Sequence, residues 1–210
     1  MQESDARDRI VELGRSLFDR SLTFGSSGNI SVRLDDGWLM TPTGSRLDNL
    51  DPARLSRLDA EGGHASGDKP TKESFLHLAM YRERADAEAV VHLHSTHSVV
   101  VSCLTDIDPD DVLPPITAYY VMRVGRLGLI PYYPPGDLGL AEAVRLKAGS
   151  HHSLLLANHG PVVAGRSLTA AADAIEELEE TAKLFLLLRN QNMRPLTGEQ
   201  VAELRQRFPT

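Results

Sequence analysis

Ala89-Val90-Val91-His92-Leu93-His94-Ser95, followed by Val99-Val100-Val101, is the stretch around which the chain is organised. The β-branched run leading into His92 predicts a buried strand. Alternate side chains on a strand leave the same face, so His92 and His94 are expected to point together, roughly 7 Å apart at Cα. Two imidazoles converging in this way suit a divalent cation, because neutral imidazole is the commonest metal ligand. The same spacing also suits two hydrogen-bonded core histidines.

The rest of the chain supplies alternating elements around that strand. Ile10, Leu13 and Leu17 recur at helical spacing, so residues 5–20 form an amphipathic helix. Ile30-Ser31-Val32-Arg33-Leu34 alternates as a strand, Asp35-Asp36-Gly37 is a hairpin turn and Trp38-Leu39-Met40 returns. Residues 60–70 are Gly- and Asp-rich, as at a hairpin tip. A helix is expected from Thr71 to Arg84, and another beginning within Ser98 to Leu104. Thr105 to Pro115 reads as a loop, and Ala118 to Val124 and Leu129 to Tyr132 read as short strands. Pro134-Pro135-Gly136-Asp137 is a turn before a helix over Leu138 to Leu146. Ser153 to Ala157 and Pro161 to Ala164 are strands either side of the turn Asn158-His159-Gly160. Thr169 caps a long helix to about Arg189, and Thr197-Gly198-Glu199-Gln200 caps a terminal one. The pattern predicts one α/β domain over residues 1–210, without internal repeats.

The bulk numbers restrict function. The 210 residues carry a net charge of −7 at a pI of about 5.6, with 41% hydrophobic and 24% charged residues. That balance disfavours nucleic acid and anionic membranes as partners. No apolar run approaches the ~20 residues of a membrane span. The lone Cys103 excludes an intrachain disulfide and, with a polar start at Met1-Gln2-Glu3-Ser4-Asp5, predicts a reducing cytoplasm.

A catalytic zinc usually takes three protein ligands and leaves one position open. His159 is the third candidate, since it sits at a strand end where sites form; as a turn residue it needs no ligand. Gly160 beside it leaves room for a ligand to approach the backbone. His77, His97, His151 and His152 read as structural or surface residues. Glu73 falls in the first turn of its helix, where the dipole favours any carboxylate; beside a metal it could instead ligate or move a proton. Three small-polar loops offer hydroxyls and backbone N–H groups: Gly25-Ser26-Ser27-Gly28-Asn29, Thr41-Pro42-Thr43-Gly44-Ser45 and Pro70-Thr71-Lys72. The last opens a helix and adds a lysine, so it suits phosphate, although each loop is also an ordinary turn.

Taken in order, Gly28-Asn29-Ile30-Ser31, Thr41-Pro42-Thr43-Gly44, Glu73, the His92-Leu93-His94 strand and Asn158-His159-Gly160-Pro161-Val162-Val163-Ala164-Gly165 resemble the class II aldolase/adducin-head family over roughly residues 5–190. The resemblance implies a three-layer α/β/α domain with a largely antiparallel sheet. It implies zinc, or another divalent metal, on His92, His94 and His159, with Glu73 as acid/base. It implies phosphate held by Asn29, Thr43, Gly44, Thr71 and Lys72, and a cytoplasmic homotetramer. Familiar sugar-phosphate aldolases of the family carry two serines before the glutamate, where this chain has Thr71-Lys72. Pro70-Thr71-Lys72-Glu73, His92-Leu93-His94-Ser95-Thr96 and Ile116-Thr117-Ala118-Tyr119-Tyr120-Val121-Met122-Arg123-Val124-Gly125 instead look like the 3-oxo-tetronate 4-phosphate decarboxylase branch. That branch implies a lyase of carbohydrate metabolism acting on a phosphorylated sugar acid. The alternatives are a sugar-phosphate aldolase, a pentulose-phosphate 4-epimerase, or a non-catalytic assembly module like the adducin head. Tyr119, Tyr120 and Arg123 are candidates for substrate contact or for plain packing.

Overall fold

The computed structural model describes residues 2–134 and 136–208. In chain order the elements are α1 (Glu3–Asp19), β1 (Asn29–Leu34), β2 (Gly37–Met40), β3 (Ser56–Leu58), β4 (His64–Ser66), α2 (Ser74–Glu83), β5 (Ala89–His92), α3 (Thr96–Ser102), α4 (Ala118–Arg123), β6 (Leu127–Ile130), α5 (Gly139–Ala148), β7 (Ser153–Leu156), β8 (Gly160–Gly165), α6 (Leu168–Leu188) and α7 (Gly198–Arg207). The strands form an 8-stranded sheet in the order β4-β3-β2-β1-β5-β8-β7-β6. Only the β6–β7 pair is parallel among the described residues, joined through α5. The fold is therefore α/β with a largely antiparallel sheet, as expected.

Burial on both faces makes the sheet the middle of three layers. Ile30, Val32, Ala89, Val91 and Val163 face one core with Ile10, Leu17, Ile175 and Leu178 of α1 and α6. Val90, Leu154, Leu156, Val162 and Ala164 face the other, with Leu76 and Met80 of α2 and Leu140 and Val144 of α5. The period of two then dictates that Asn29, Ser31 and His92 look toward α2. Asn29 lies directly opposite His92 in the antiparallel β1–β5 register.

Several expectations need correction. Residues 118–124 are not a strand but the helix α4. The Thr117 hydroxyl accepts from the Tyr120 N–H, and Gly125, at φ +71°, ends the turn with its N–H on the Tyr120 carbonyl. Buried Tyr120, Val121 and Val124 share one helical face, so tertiary packing overrides the β-branched and aromatic preference. The cap of α6 is Ser167, whose hydroxyl accepts from Ala170, whereas the Thr169 hydroxyl receives Arg9. Helix α2 starts at Ser74, three residues later than expected. The tip at residues 59–63 lies between β3 and β4, strands too short to leave a pattern. The turn expected at residues 134–137 includes Pro135, outside the described residues; the Asp137 N–H reaches the Pro134 carbonyl at 3.0 Å. Thr197 does form the expected capping box with Gln200. Among the described residues no helix is long and apolar enough to cross a membrane.

Candidate metal centre

Strand β5 ends at His92, and the chain runs on extended through Leu93 and His94 before turning into α3. The two rings still converge, with Nε2 atoms 3.2 Å apart. His159 arrives from the turn between β7 and β8. Asn158 holds the left-handed conformation there at φ +55°, which asparagine tolerates. His159 Nε2 stands 3.0 Å from His94 Nε2. The three rings are packed edge to face, with centroids 4.7–5.0 Å apart. Glu73 closes the set, its carboxylate oxygens 3.5 Å from His92 Nε2 and 3.2 Å from His159 Nε2. One ligand atom from each of the four residues lies within 4.8 Å of all the others.

This cluster could hold a cation. The His92 Nδ1–H donates to the Pro161 carbonyl at 2.8 Å, which leaves the Nε2 lone pair facing the other rings. Three imidazole nitrogens turned on one point repel unless a positive charge stands among them. Three imidazoles and one carboxylate form a donor set that suits zinc and several other divalent ions. Burial pushes the His94 imidazole down to about 3, helped by its two neighbouring rings, so it is neutral and able to ligate. Burial alone would raise the Glu73 carboxyl. Electrostatic attraction to the adjacent His92 ring, and hydrogen-bond contacts with His159 and Asn29, outweigh it and hold Glu73 well below the usual carboxylate range.

The family model for the "Class II Aldolase and Adducin N-terminal domain" matches residues 8–186. The chain belongs to the class II aldolase and adducin family. Among class II aldolase relatives, a 3-oxo-tetronate 4-phosphate decarboxylase of Haemophilus influenzae is 50% identical over 99% of each chain. An L-fuculose phosphate aldolase of Methanocaldococcus jannaschii is 36% identical over 86% of this chain and 96% of its own. The crystal structure of YgbL from Escherichia coli superposes with a TM-score of 0.95 at 48% identity, covering 97% of this chain and 99% of that one.

Within this class II aldolase domain the other expected residues divide. The loops at 41–45 and 69–72 lie side by side, bridged at Pro42 and Pro70. The Thr43 N–H goes to the Lys69 carbonyl and the Thr71 N–H to the Thr41 carbonyl. What remains there for a ligand is the Thr43 hydroxyl, the open Gly44 backbone and the exposed Lys72 ammonium. Thr71 is buried and its hydroxyl accepts the Glu73 N–H. Asn29 lies beside them, since its neighbour Ile30 bonds Thr41, but its amide turns the other way, donating to Glu73 at 2.7 Å and accepting from His77. Glu73 itself is not in the first turn of α2 but at the cap position, and its side chain makes no cap bond.

Gly160 serves a purpose other than ligand access. A Cβ there would stand 2.3 Å from the Leu93 carbonyl oxygen, so the missing side chain lets the His159 turn press against the His94 segment. His97 is held by Glu179 and lies outside the cluster. Tyr120 is buried under α6 and α7, while Arg123 packs over the Tyr119 ring and pairs with Asp173 at 3.6 Å. His77, expected to be structural or on the surface, is structural: buried, it bonds Ser31 and Asn29, and Ser31 in turn bonds Tyr81. The signal available was Glu73, His77 and Tyr81 at every fourth residue, facing Asn29 and Ser31 two apart.

Proposed function

We propose that residues 1–210 act as one metal-dependent domain that decarboxylates a 3-oxo-tetronate 4-phosphate to dihydroxyacetone phosphate and carbon dioxide. The observation that carries this reading is 50% identity over 99% of a 3-oxo-tetronate 4-phosphate decarboxylase, together with a complete Glu73–His92–His94–His159 cluster. The chain is a lyase, and the finer assignment concerns substrate, ion and residue roles.

His92, His94 and His159 hold a divalent cation, zinc by preference for this donor set. The chemistry supplied by the bound cation is Lewis-acid stabilisation of the negative charge that develops as carbon dioxide leaves. In the reaction the bond between the carboxylate carbon and its neighbour breaks. The electron pair stays on that neighbour and on the adjacent ketone oxygen. One proton from solvent then completes the product. Glu73 rests as an anion, so it acts as a relay, taking a proton from water and passing it to the carbon. The Thr43 hydroxyl, the Gly44 backbone, Thr71 and Lys72 hold the phosphate, with Asn29 at the inner end. Orientation by these groups fixes which end of the substrate meets the ion.

A sugar-phosphate aldolase is the second reading, favoured by the 36% identical relative of that name. It would build up the same charge by releasing an aldehyde. A non-catalytic module, like the adducin head, has no use for the intact four-residue cluster. The experiment is to supply 3-oxo-tetronate 4-phosphates and ketose 1-phosphates to the metal-loaded protein. Carbon dioxide release from the first is expected; cleavage of the ketose phosphates alone would replace the decarboxylase reading. A homotetramer is also proposed, and exposed Phe24, Tyr132, Leu138, Leu146 and Leu187 give it apolar surface to cover. Light scattering that returned the mass of one 23.0 kDa chain would reject it.

A further inference from the structure

Behind the carboxylate of the metal cluster runs a line of buried polar side chains. Glu73, His77 and Tyr81 follow one another at four-residue spacing along one stripe of α2 and its cap. Asn29 and Ser31 sit two apart on the facing side of β1. The two sets interdigitate. Tyr81 Oη lies 2.9 Å from Ser31 Oγ, and Ser31 Oγ lies 2.7 Å from His77 Nδ1. His77 Nε2 meets Asn29 Oδ1, and Asn29 Nδ2 meets Glu73 Oε2 at 2.7 Å. Ser31 and His77 are fully buried, and Asn29 and Tyr81 are 5% and 2% exposed.

With the fully buried His77 ring neutral, one arrangement of protons satisfies all four contacts. An ionised carboxylate accepts and cannot donate, so the Asn29 amide must turn its N–H toward Glu73. Its carbonyl then faces His77, which requires the proton on Nε2. Nδ1 is left as an acceptor, so the Ser31 hydroxyl donates to it and accepts in turn from Tyr81. An asparagine amide flipped end for end would set its oxygen against the Glu73 carboxylate, two acceptors in contact. The Glu73 carboxylate disfavours that flip, and the bond from His77 Nε2–H into the Asn29 carbonyl adds a second hold on the same orientation.

We infer that His77 is a positioning residue, locking the Asn29 amide so that its N–H points at Glu73 and holds that carboxylate against the three-histidine cluster. This rests on the reading of Glu73 as the proton-handling group beside the metal. The line would otherwise be core filling. Its register argues against that, since each member bonds the next and the last bond falls on the cluster. Outer partners of this kind typically change metal affinity or activity 10–100-fold when removed.

The test uses the full-length, zinc-loaded protein and three substitutions at one position. His77→Leu removes both bonds. His77→Gln keeps an amide N–H where Nε2 stands and so can still reach Asn29. His77→Asn places its amide where Nδ1 stands and can reach only Ser31. For carbon dioxide release, His77→Leu and His77→Asn are expected to lower kcat about tenfold or more with KM changed less than about threefold. His77→Gln is expected to recover to within about threefold of the parent. A chelator competition for zinc is expected to show about tenfold weaker binding in His77→Leu, and no further loss when the same change is made in Glu73→Gln. Should His77→Leu fail to fold, the Gln and Asn variants carry the comparison. Equal kcat in those two at matched thermal stability, or the same zinc penalty with and without the Glu73 carboxylate, would overturn the inference. A Glu73→Gln protein with parental turnover would remove the reading beneath it instead.

Discussion

The distance of 2.3 Å between a Cβ built on Gly160 and the Leu93 carbonyl oxygen states what the residue scale demands. His159 reaches His94 only because the two backbones touch. Gly160→Ala is therefore expected to cost about 2–3 kcal/mol of stability and to weaken metal binding, because the His159 turn must withdraw. Denaturant unfolding and zinc competition on the variant check this; parental values in both would show that the turn has room to spare. The paired histidines were legible because a period of two is a local property. The reason for Gly160 was not, since the atom it avoids belongs to a segment 67 positions earlier in the chain. Reading it as access for a ligand put an open site where backbone packs. Glu73 shows a similar limit. Its acidic character fits a helix start, but its direction is set by Asn29 on β1, His92 on β5 and His159 in the β7–β8 turn.

At the scale of elements, α3 begins one residue after Ser95 and carries the chain away from the cluster. Its free N–H groups are not capped locally. The buried carboxylate of Glu179 on α6 accepts the His97 N–H at 2.9 Å and the Ser98 N–H at 2.9 Å, and also takes the His97 ring N–H and the Ser98 hydroxyl. Burial alone would raise this carboxyl; those four donors keep it below its ordinary value. Glu179→Ala leaves the buried Ser98 donors, and the half-buried His97 ones, without this partner, so a loss of about 3 kcal/mol is expected, with slack at His94 and weaker zinc binding. A loss under about 1 kcal/mol by urea titration would show the cap to be dispensable. The long amphipathic helices α1 and α6 were legible from their apolar stripes. Short α4 was not, because its residues favour strands and its helical state depends on packing against α6 and α7. For the same reason the cap at Thr169 was misplaced by two residues. Ser167 and Thr169 can each cap a helix, and only the fold brings Arg9 onto the Thr169 hydroxyl.

For the whole molecule, burial ties stability to pH. Burial pushes His77 down to about 3 and His152 down to about 4, from an ordinary value of 6.5. The folded chain refuses protons that the unfolded chain accepts, so this stability is complete above the ordinary value and is lost as pH falls through the lowered ones. Chelator-treated protein is expected to lose at least about 5 °C of Tm between about pH 7 and pH 4, and a flat profile would contradict the burial of these rings. The α/β class was legible from alternating strand and helix signals, and the three layers and the antiparallel sheet from the family resemblance. The central claim concerns the ion. The most direct measurement adds zinc back to chelator-treated protein and follows bound metal and carbon dioxide release together, for the parent and for His94→Ala. The account expects turnover to rise in proportion to bound zinc and to level off at about one ion per chain, with neither binding nor turnover in His94→Ala. Full turnover by protein carrying under about a tenth of an ion per chain would contradict it.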